Sequence, residues 1–130
     1  MSHERRAHNA DGAPEAIGPY SHAVAGRGLL FCSGQIPLDP QTGELVGQDA
    51  AGQAARCLAN LEAVCESAGA RLADAVRCTI YMTDLEAFAE VNEVYAGFFG
   101  DDPPSRVTVG VAALPKGALV EIDAIVAVDG

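Results

Sequence analysis

A guanidinium on the small-residue side of an apolar strand is the chain's most suggestive piece of chemistry. Arg106 stands in Pro103-Pro104-Ser105-Arg106-Val107-Thr108-Val109, where Val107, Val109 and Val111 alternate with Arg106, Thr108 and Gly110. That alternation predicts a half-buried strand, one face wholly β-branched, the other carrying a single charge flanked by small residues. A planar fork of permanently charged donors suits a carboxylate, which it can grip through two parallel hydrogen bonds. Arg106 is therefore a candidate floor for an anionic ligand. On this strand alone, a solvated surface charge or an ion-pair partner is the better account, since single surface charges are common and contribute little.

Other reactive residue types form no constellation. Cys32, Cys57, Cys65 and Cys78 show no CxxC spacing and have no histidine near them, so a zinc site has no support. Cys57 and Cys65 share a face of a predicted helix and Cys78 sits on an apolar strand face, which fits thiols buried as small hydrophobes. His3, His8 and His22 all lie near the N-terminus, leaving little basis for a nucleophile–histidine pair.

The formal net charge is −10, from 18 acidic and 8 basic residues. Its average field repels phosphate backbones and disfavours nucleic acid as a partner, so an anionic small molecule needs a specific positive site. With 130 residues, 49% hydrophobic and 20% charged, the chain is expected to fold as a single domain over residues 1–130. No apolar run reaches membrane-spanning length, and Met1-Ser2-His3-Glu4-Arg5-Arg6 lacks the apolar core of a signal peptide, so the expected location is the cytoplasm without membrane contact.

The elements that must position Arg106 follow from periodicity. Residues 1–15 read as a loose polar lead-in, and 16–24 as a first strand. Gly26-Arg27-Gly28 supplies turn chemistry before a buried strand, Leu29-Leu30-Phe31-Cys32-Ser33, which Gly34-Gln35 ends. From Asp49 to Ala68, the positions Ala54, Leu58, Leu61, Val64 and Cys65 recur at helical spacing, and Gly69 stands where a C-cap belongs. A strand over 75–82 places Val76, Cys78, Ile80 and Met82 on one side and Arg77, Thr79 and Tyr81 on the other. Asp84 is the expected cap of a second helix bearing Leu85, Phe88, Val91, Tyr95 and Phe98, stopped by Gly100 and Pro103-Pro104. Strands over 106–112 and 119–128 complete the order β-β-α-β-α-β-β. Strand–helix–strand connections imply a mixed sheet with both helices on one face. The other face, with Ile125 and Ala127 near Glu121 and Asp123, then needs covering, most economically by sister subunits in a closed homo-oligomer.

These pieces together resemble the reactive intermediate deaminase family, RidA (older name YjgF). The resemblance is carried by Arg106 followed by Val109, Leu114-Pro115 and Val120-Glu121-Ile122. It continues in Ile17-Gly18-Pro19-Tyr20, in Ser33-Gly34-Gln35-Ile36-Pro37 with Thr42-Gly43 beyond, and in Thr83-Asp84-Leu85 with Val91-Asn92 and Tyr95. It spans about 13–128. It implies an α+β fold of the chorismate-mutase-like kind, a mixed sheet with two helices on one face, assembled as a homotrimer with clefts at the subunit interfaces. It further implies cofactor-free and metal-free hydrolysis of enamines and imines such as 2-aminoacrylate and 2-iminobutyrate to 2-oxo acids and ammonia. By position, Arg106 is then the carboxylate grip, Val107 and Thr108 backbone contacts beside it, and Glu121 the group that orients or deprotonates water. Tyr20 and Ser33 would line the pocket, Gly34 would permit close backbone approach, and Asn92 would lie near the cleft. Thr108 departs from the cysteine that some members carry there, which spares a backbone contact but removes thiol chemistry. Alternatives consistent with the same residues are a pathway-specific aminoacrylate or aminomuconate deaminase, and a non-catalytic trimer that binds small carboxylates or acts like a chaperone.

Overall fold

Asp49 opens the long helix: its carboxylate accepts the Gly52 N–H at 2.8 Å, satisfying a donor that the helix start leaves orphaned. Helix α1 (Ala50–Ser67) runs from there, and Gly69, at φ +71°, turns the chain away. The computed structural model describes residues 4–128. The strands are β1 (Arg6–His8), β2 (Ala23–Gly26), β3 (Leu29–Gln35), β4 (Ala75–Met82), β5 (Ser105–Gly110) and β6 (Val120–Ala127), with a second helix α2 (Phe88–Phe99) between β4 and β5. They form one sheet in the order β1-β2-β3-β6-β4-β5, antiparallel throughout except for β4 and β5, which α2 connects in parallel. The fold is the expected mixed α+β arrangement, with one strand more at its front.

That added strand corrects the reading of the lead-in. Arg6–His8 pairs antiparallel with Ala23–Ala25, and Ala10 and Ala13 are buried beyond it. Residues 1–3 of the lead-in, His3 among them, lie outside the described residues. The strand expected over 16–24 shrinks to Ala23–Gly26, because Gly18-Pro19 bends the chain and Tyr20 N–H bonds the Gly18 carbonyl at 2.9 Å. Arg27 (φ 56°) and Gly28 (φ 76°) form the two-residue turn between β2 and β3, the left-handed pair that a twisted hairpin requires. Asp84 caps, but what it caps is a 3₁₀ turn at Leu85–Ala87 that leads into α2.

Both helices cover one face. Val120, Ile122, Ala124 and Val126 of β6 meet Leu58, Leu61, Val64 and Cys65 of α1, all essentially inaccessible to water. Each large aliphatic side chain buried there contributes about 1.5–3 kcal/mol relative to exposure. The buried Asn60 donates to the carbonyls of Ile36 and Leu38 (3.3 and 3.0 Å), so α1 also holds the chain that leaves β3. All four cysteines are free and buried, as the spacing implied. No helix among the described residues is long and apolar enough to cross a membrane.

The opposite face is open. Phe31 is 47% exposed, and Val107 and Val109 stand exposed on the same side as Glu121, Asp123, Thr79 and Tyr81. The apolar side of β5 thus points away from the helices and Arg106 points towards them, the reverse of what a half-buried strand with an apolar inner face leads one to expect. Val76 is also displaced, exposed beside a register shift between Ala75 and Arg77 rather than aligned with Cys78.

Candidate functional site

Helix α2 builds the surroundings of Arg106. Phe88, Asn92 and Tyr95 recur at helical spacing along one side of α2, so the three side chains meet over β5. The Arg106 guanidinium donates to Asn92 Oδ1 at 2.8 Å and lies 4.9 Å from the Tyr95 ring centroid and 5.5 Å from that of Phe88. Aromatic faces attract a cation without neutralising it. Among the described residues no acid lies within ion-pairing distance of Arg106, the one ion pair being Arg71–Asp74. The positive charge is therefore fixed in place and left unneutralised. Thr108 shares this face, its hydroxyl oxygen buried without a hydrogen-bond partner. Val107 and Thr108 lie on an edge strand paired only with β4, so part of their backbone N–H and C=O groups face outwards, available to a ligand.

A second group of the expected residues gathers around the end of β3. Gly34 lies so close to Glu121 that a Cβ at Gly34 would collide with the Glu121 carboxylate. Ser33 donates its hydroxyl to the Ser21 carbonyl at 2.7 Å, and its N–H bonds the His22 carbonyl at 2.9 Å. Those bonds lay the segment bearing Tyr20 against β3. The Tyr20 ring is 44% exposed and its hydroxyl accepts the Ile17 N–H at 3.4 Å. Glu121 is half-buried. Burial, and then the nearby charge of Asp123, raise its carboxyl above the ordinary range. Asp123 is itself occupied, accepting the Tyr81 hydroxyl at 2.9 Å.

The two groups do not meet within one chain. Arg106, Cys78 and Ala124 are in register across β5, β4 and β6 and face the helices. Glu121 is three residues from Ala124, so it faces the other way. The separation is roughly 10 Å across two strand spacings and roughly 10 Å along β6, with the sheet between.

Sequence reasoning missed Phe88 and Tyr95 as part of the Arg106 setting. Their spacing from Asn92 was legible, but both read as core-facing positions of an amphipathic helix. Thiol chemistry has no footing here. Burial pushes Cys78 up to about 11 and Cys57 higher still, while a hydrogen bond to Cys32 (Sγ–Sγ 4.0 Å) and burial raise Cys65.

Residues 10–128 match the model of the family described as Endoribonuclease L-PSP. The chain belongs to this family, the one that includes the RidA and YjgF proteins. Protein DfrA of Myxococcus xanthus is 55% identical over 124 residues, covering 93% of this chain and 94% of DfrA. The crystal structure of RidA from the Antarctic bacterium Psychrobacter sp. is 41% identical with a TM-score of 0.91, covering 95% of this chain and 99% of the other. That of Escherichia coli TdcF with bound serine is 41% identical with a TM-score of 0.90 over the same 95% and 99%. The RidA-type resemblance read from Arg106, Ser33-Gly34-Gln35 and Val120-Glu121-Ile122 is thus upheld, together with the fold that it implies.

Proposed function

We propose that the protein is a cofactor-free hydrolytic deaminase of small enamine and imine acids, 2-aminoacrylate and 2-iminobutyrate, working in the cytoplasm as a homotrimer with its sites between subunits. The observation that carries this reading is the Arg106 guanidinium, held by neutral partners alone (Asn92, Phe88 and Tyr95) and lacking an acid. A charge fixed in that way suits a ligand carboxylate, which would take the fork's remaining donors. The serine bound to TdcF is an α-amino acid of the same size class, which supports a carboxylate of two to four carbons as the group recognised here.

The opposite facing of Arg106 and Glu121 supports an interface site. Glu121 and the exposed Phe31, Val107 and Val109 share the uncovered face, where a second subunit would bury them. Each cleft would then combine Arg106 of one subunit with Glu121 of the partner subunit. Arg106 anchors the substrate carboxylate so that the C=N carbon is presented to water. Glu121 takes a proton from that water as its oxygen bonds to carbon and the C=N π pair moves to nitrogen, an enamine having first taken a proton at its terminal carbon to become the imine. Glu121 returns its proton to that nitrogen, and the amino alcohol then passes its hydroxyl proton to the amino group as the C–N bond breaks, releasing ammonia and the 2-oxo acid. The raised pKa of Glu121 makes it a better proton acceptor than an ordinary carboxylate, and a well-placed base contributes about 10²–10⁴-fold.

The test is ammonia release from 2-iminobutyrate generated in situ. The wild type accelerates it, and Arg106→Ala returns the rate to background while the oligomer persists; an Arg106→Ala protein with unchanged activity would refute the assignment. Larger imines in the same assay distinguish a pathway-specific enzyme. A second reading, a carboxylate-binding module without turnover, is favoured by TdcF having serine, a small carboxylate, bound. It predicts tight 2-oxo acid binding and no ammonia. RNA cleavage, which the family's description names, is opposed by a net charge of −10 and would have to depend on Arg106 to displace the deaminase reading.

A further inference from the structure

Every polar group of the buried His22 is engaged. Ring Nδ1 accepts the Ala10 N–H at 2.9 Å and Nε2 lies 2.8 Å from the Pro14 carbonyl, so the ring is the neutral tautomer with its proton on Nε2, donating to Pro14. Its backbone N–H donates to Asn9 Oδ1 at 3.1 Å, and its carbonyl accepts the Ser33 N–H at 2.9 Å. One residue therefore joins three segments: the lead-in at 9–14, the loop bearing Tyr20, and the end of β3 at Ser33, next to Gly34 and Glu121. The Ser33 hydroxyl bond to Ser21 completes the junction.

We propose that His22 is a positioning residue, setting the loop that braces Ser33 and so the Gly34 backbone that abuts the Glu121 carboxylate, while taking no part in the Arg106 grip on the substrate anion. The proposal rests on the reading of Glu121 as the group that activates water, with Gly34 against its carboxylate. The Arg106 side, built by α2 and β5, shares none of these hydrogen bonds, so the two sides respond differently when the pin is removed. His22→Ala leaves the Ala10 N–H and the Pro14 carbonyl buried without partners and unties residues 10–14 from the loop, which then hangs on its backbone bonds to Asn9 and Ser33 alone. His22→Gln still offers one acceptor and one donor at the end of its side chain.

The experiment uses the full chain and both variants, with three readouts: kcat on 2-iminobutyrate generated in situ, the inhibition constant of 2-oxobutyrate as a report on the Arg106 side, and hydrogen exchange by mass spectrometry. His22→Ala is expected to lower kcat about ten-fold or more, the order that misplacement of reacting groups by under an ångström produces. The inhibition constant stays within about two-fold, because the Arg106 grip on the anion shares none of the lost bonds. Exchange quickens over 9–22 and at Ser33 but not in β4 or β5, and His22→Gln restores most of the wild-type behaviour. The proposal is overturned if kcat for His22→Ala equals that of the wild type, if kcat and inhibition worsen together, or if Gln is no better than Ala. Should the wild type release no ammonia, the deaminase reading fails by itself. His22 is then judged by exchange: quickening confined to 9–22 and Ser33 upholds the pin, and unchanged exchange disposes of it.

Discussion

The surroundings of Arg106 and those of Glu121 are built on opposite principles. Arg106 is gripped by side chains from one regular helix, all neutral, at spacings that a single amphipathic element supplies. Glu121 stands against Gly34 near the end of β3, which an irregular loop braces through Ser33, and beside a neighbouring strand, and it shares its face with another acid. One arrangement preserves a charge; the other makes a charge costly and so makes the group ready to take up a proton. A hydrolase that binds an anion and activates water needs one of each, and the sheet keeps them from neutralising each other.

The sharpest way to break this comparison is to remove one half from each of two subunits. Arg106→Ala and Glu121→Gln are each expected to be inactive alone. Unfolded together and reassembled at equal amounts, they should regain about a quarter of wild-type activity, because about one interface in four then pairs an intact Arg106 with an intact Glu121. If both halves served one site within a chain, mixing would restore nothing. A rate assay on the reassembled mixture decides between the two.

A substitution at Gly34 sharpens the comparison by striking only the carboxylate side. The Cβ of Gly34→Ala collides with the end of a flexible Glu121 side chain rather than with backbone, so the fold can absorb it. The expected result is kcat reduced by about 10–100-fold, with melting temperature and 2-oxobutyrate inhibition close to wild type. Equal damage to inhibition would mean that the two halves are mechanically one.

The proton-handling side also has a pH signature. Glu121 must be ionised to act as a base, so activity falls as pH drops through its raised pKa. Burial is the larger cause of that rise and Asp123 the smaller. Asp123→Asn should therefore move the acid limb of kcat/KM towards the ordinary carboxylate range without reaching it, while its amide oxygen can still accept the Tyr81 hydroxyl. An acid limb that does not move would assign the titration to another group.

The two regions also differ in how far the sequence disclosed them. The bounds of β4 were legible to the residue and those of α1 to within one, because a period of two from Cys78 to Met82 and a period of 3.6 over eighteen residues leave few alternatives. The Arg106 side inherits that clarity, since Asn92 and Arg106 lie on regular elements. What periodicity could not reveal was orientation. On this edge strand, whose apolar face the helices leave uncovered, the valines point outwards and the charge inwards, so patterning alone assigns the faces backwards. The Glu121 side was least legible where it is least regular. Residues 9–22 are organised by the long-range bonds of His22 and Ser33, which leave no periodic trace, so β1 went unseen and β2 was drawn too long.

The smallest expected effect tests whether the aromatic rings only hold the guanidinium or also take part in the chemistry. Phe88→Leu keeps an apolar side chain and leaves Tyr95 and Asn92 in place, but removes one ring face from the cation. A cation–π contact at a partly exposed site is worth about 0.5–1 kcal/mol, which corresponds to about a two- to five-fold rise in KM. The substrate carboxylate is the same group before and during attack on C=N, so a loosened grip weakens both states alike and kcat should not change. A fall in kcat at constant KM would show that the ring reaches the reacting carbon, and the division between a binding half and a water-activating half would have to be redrawn.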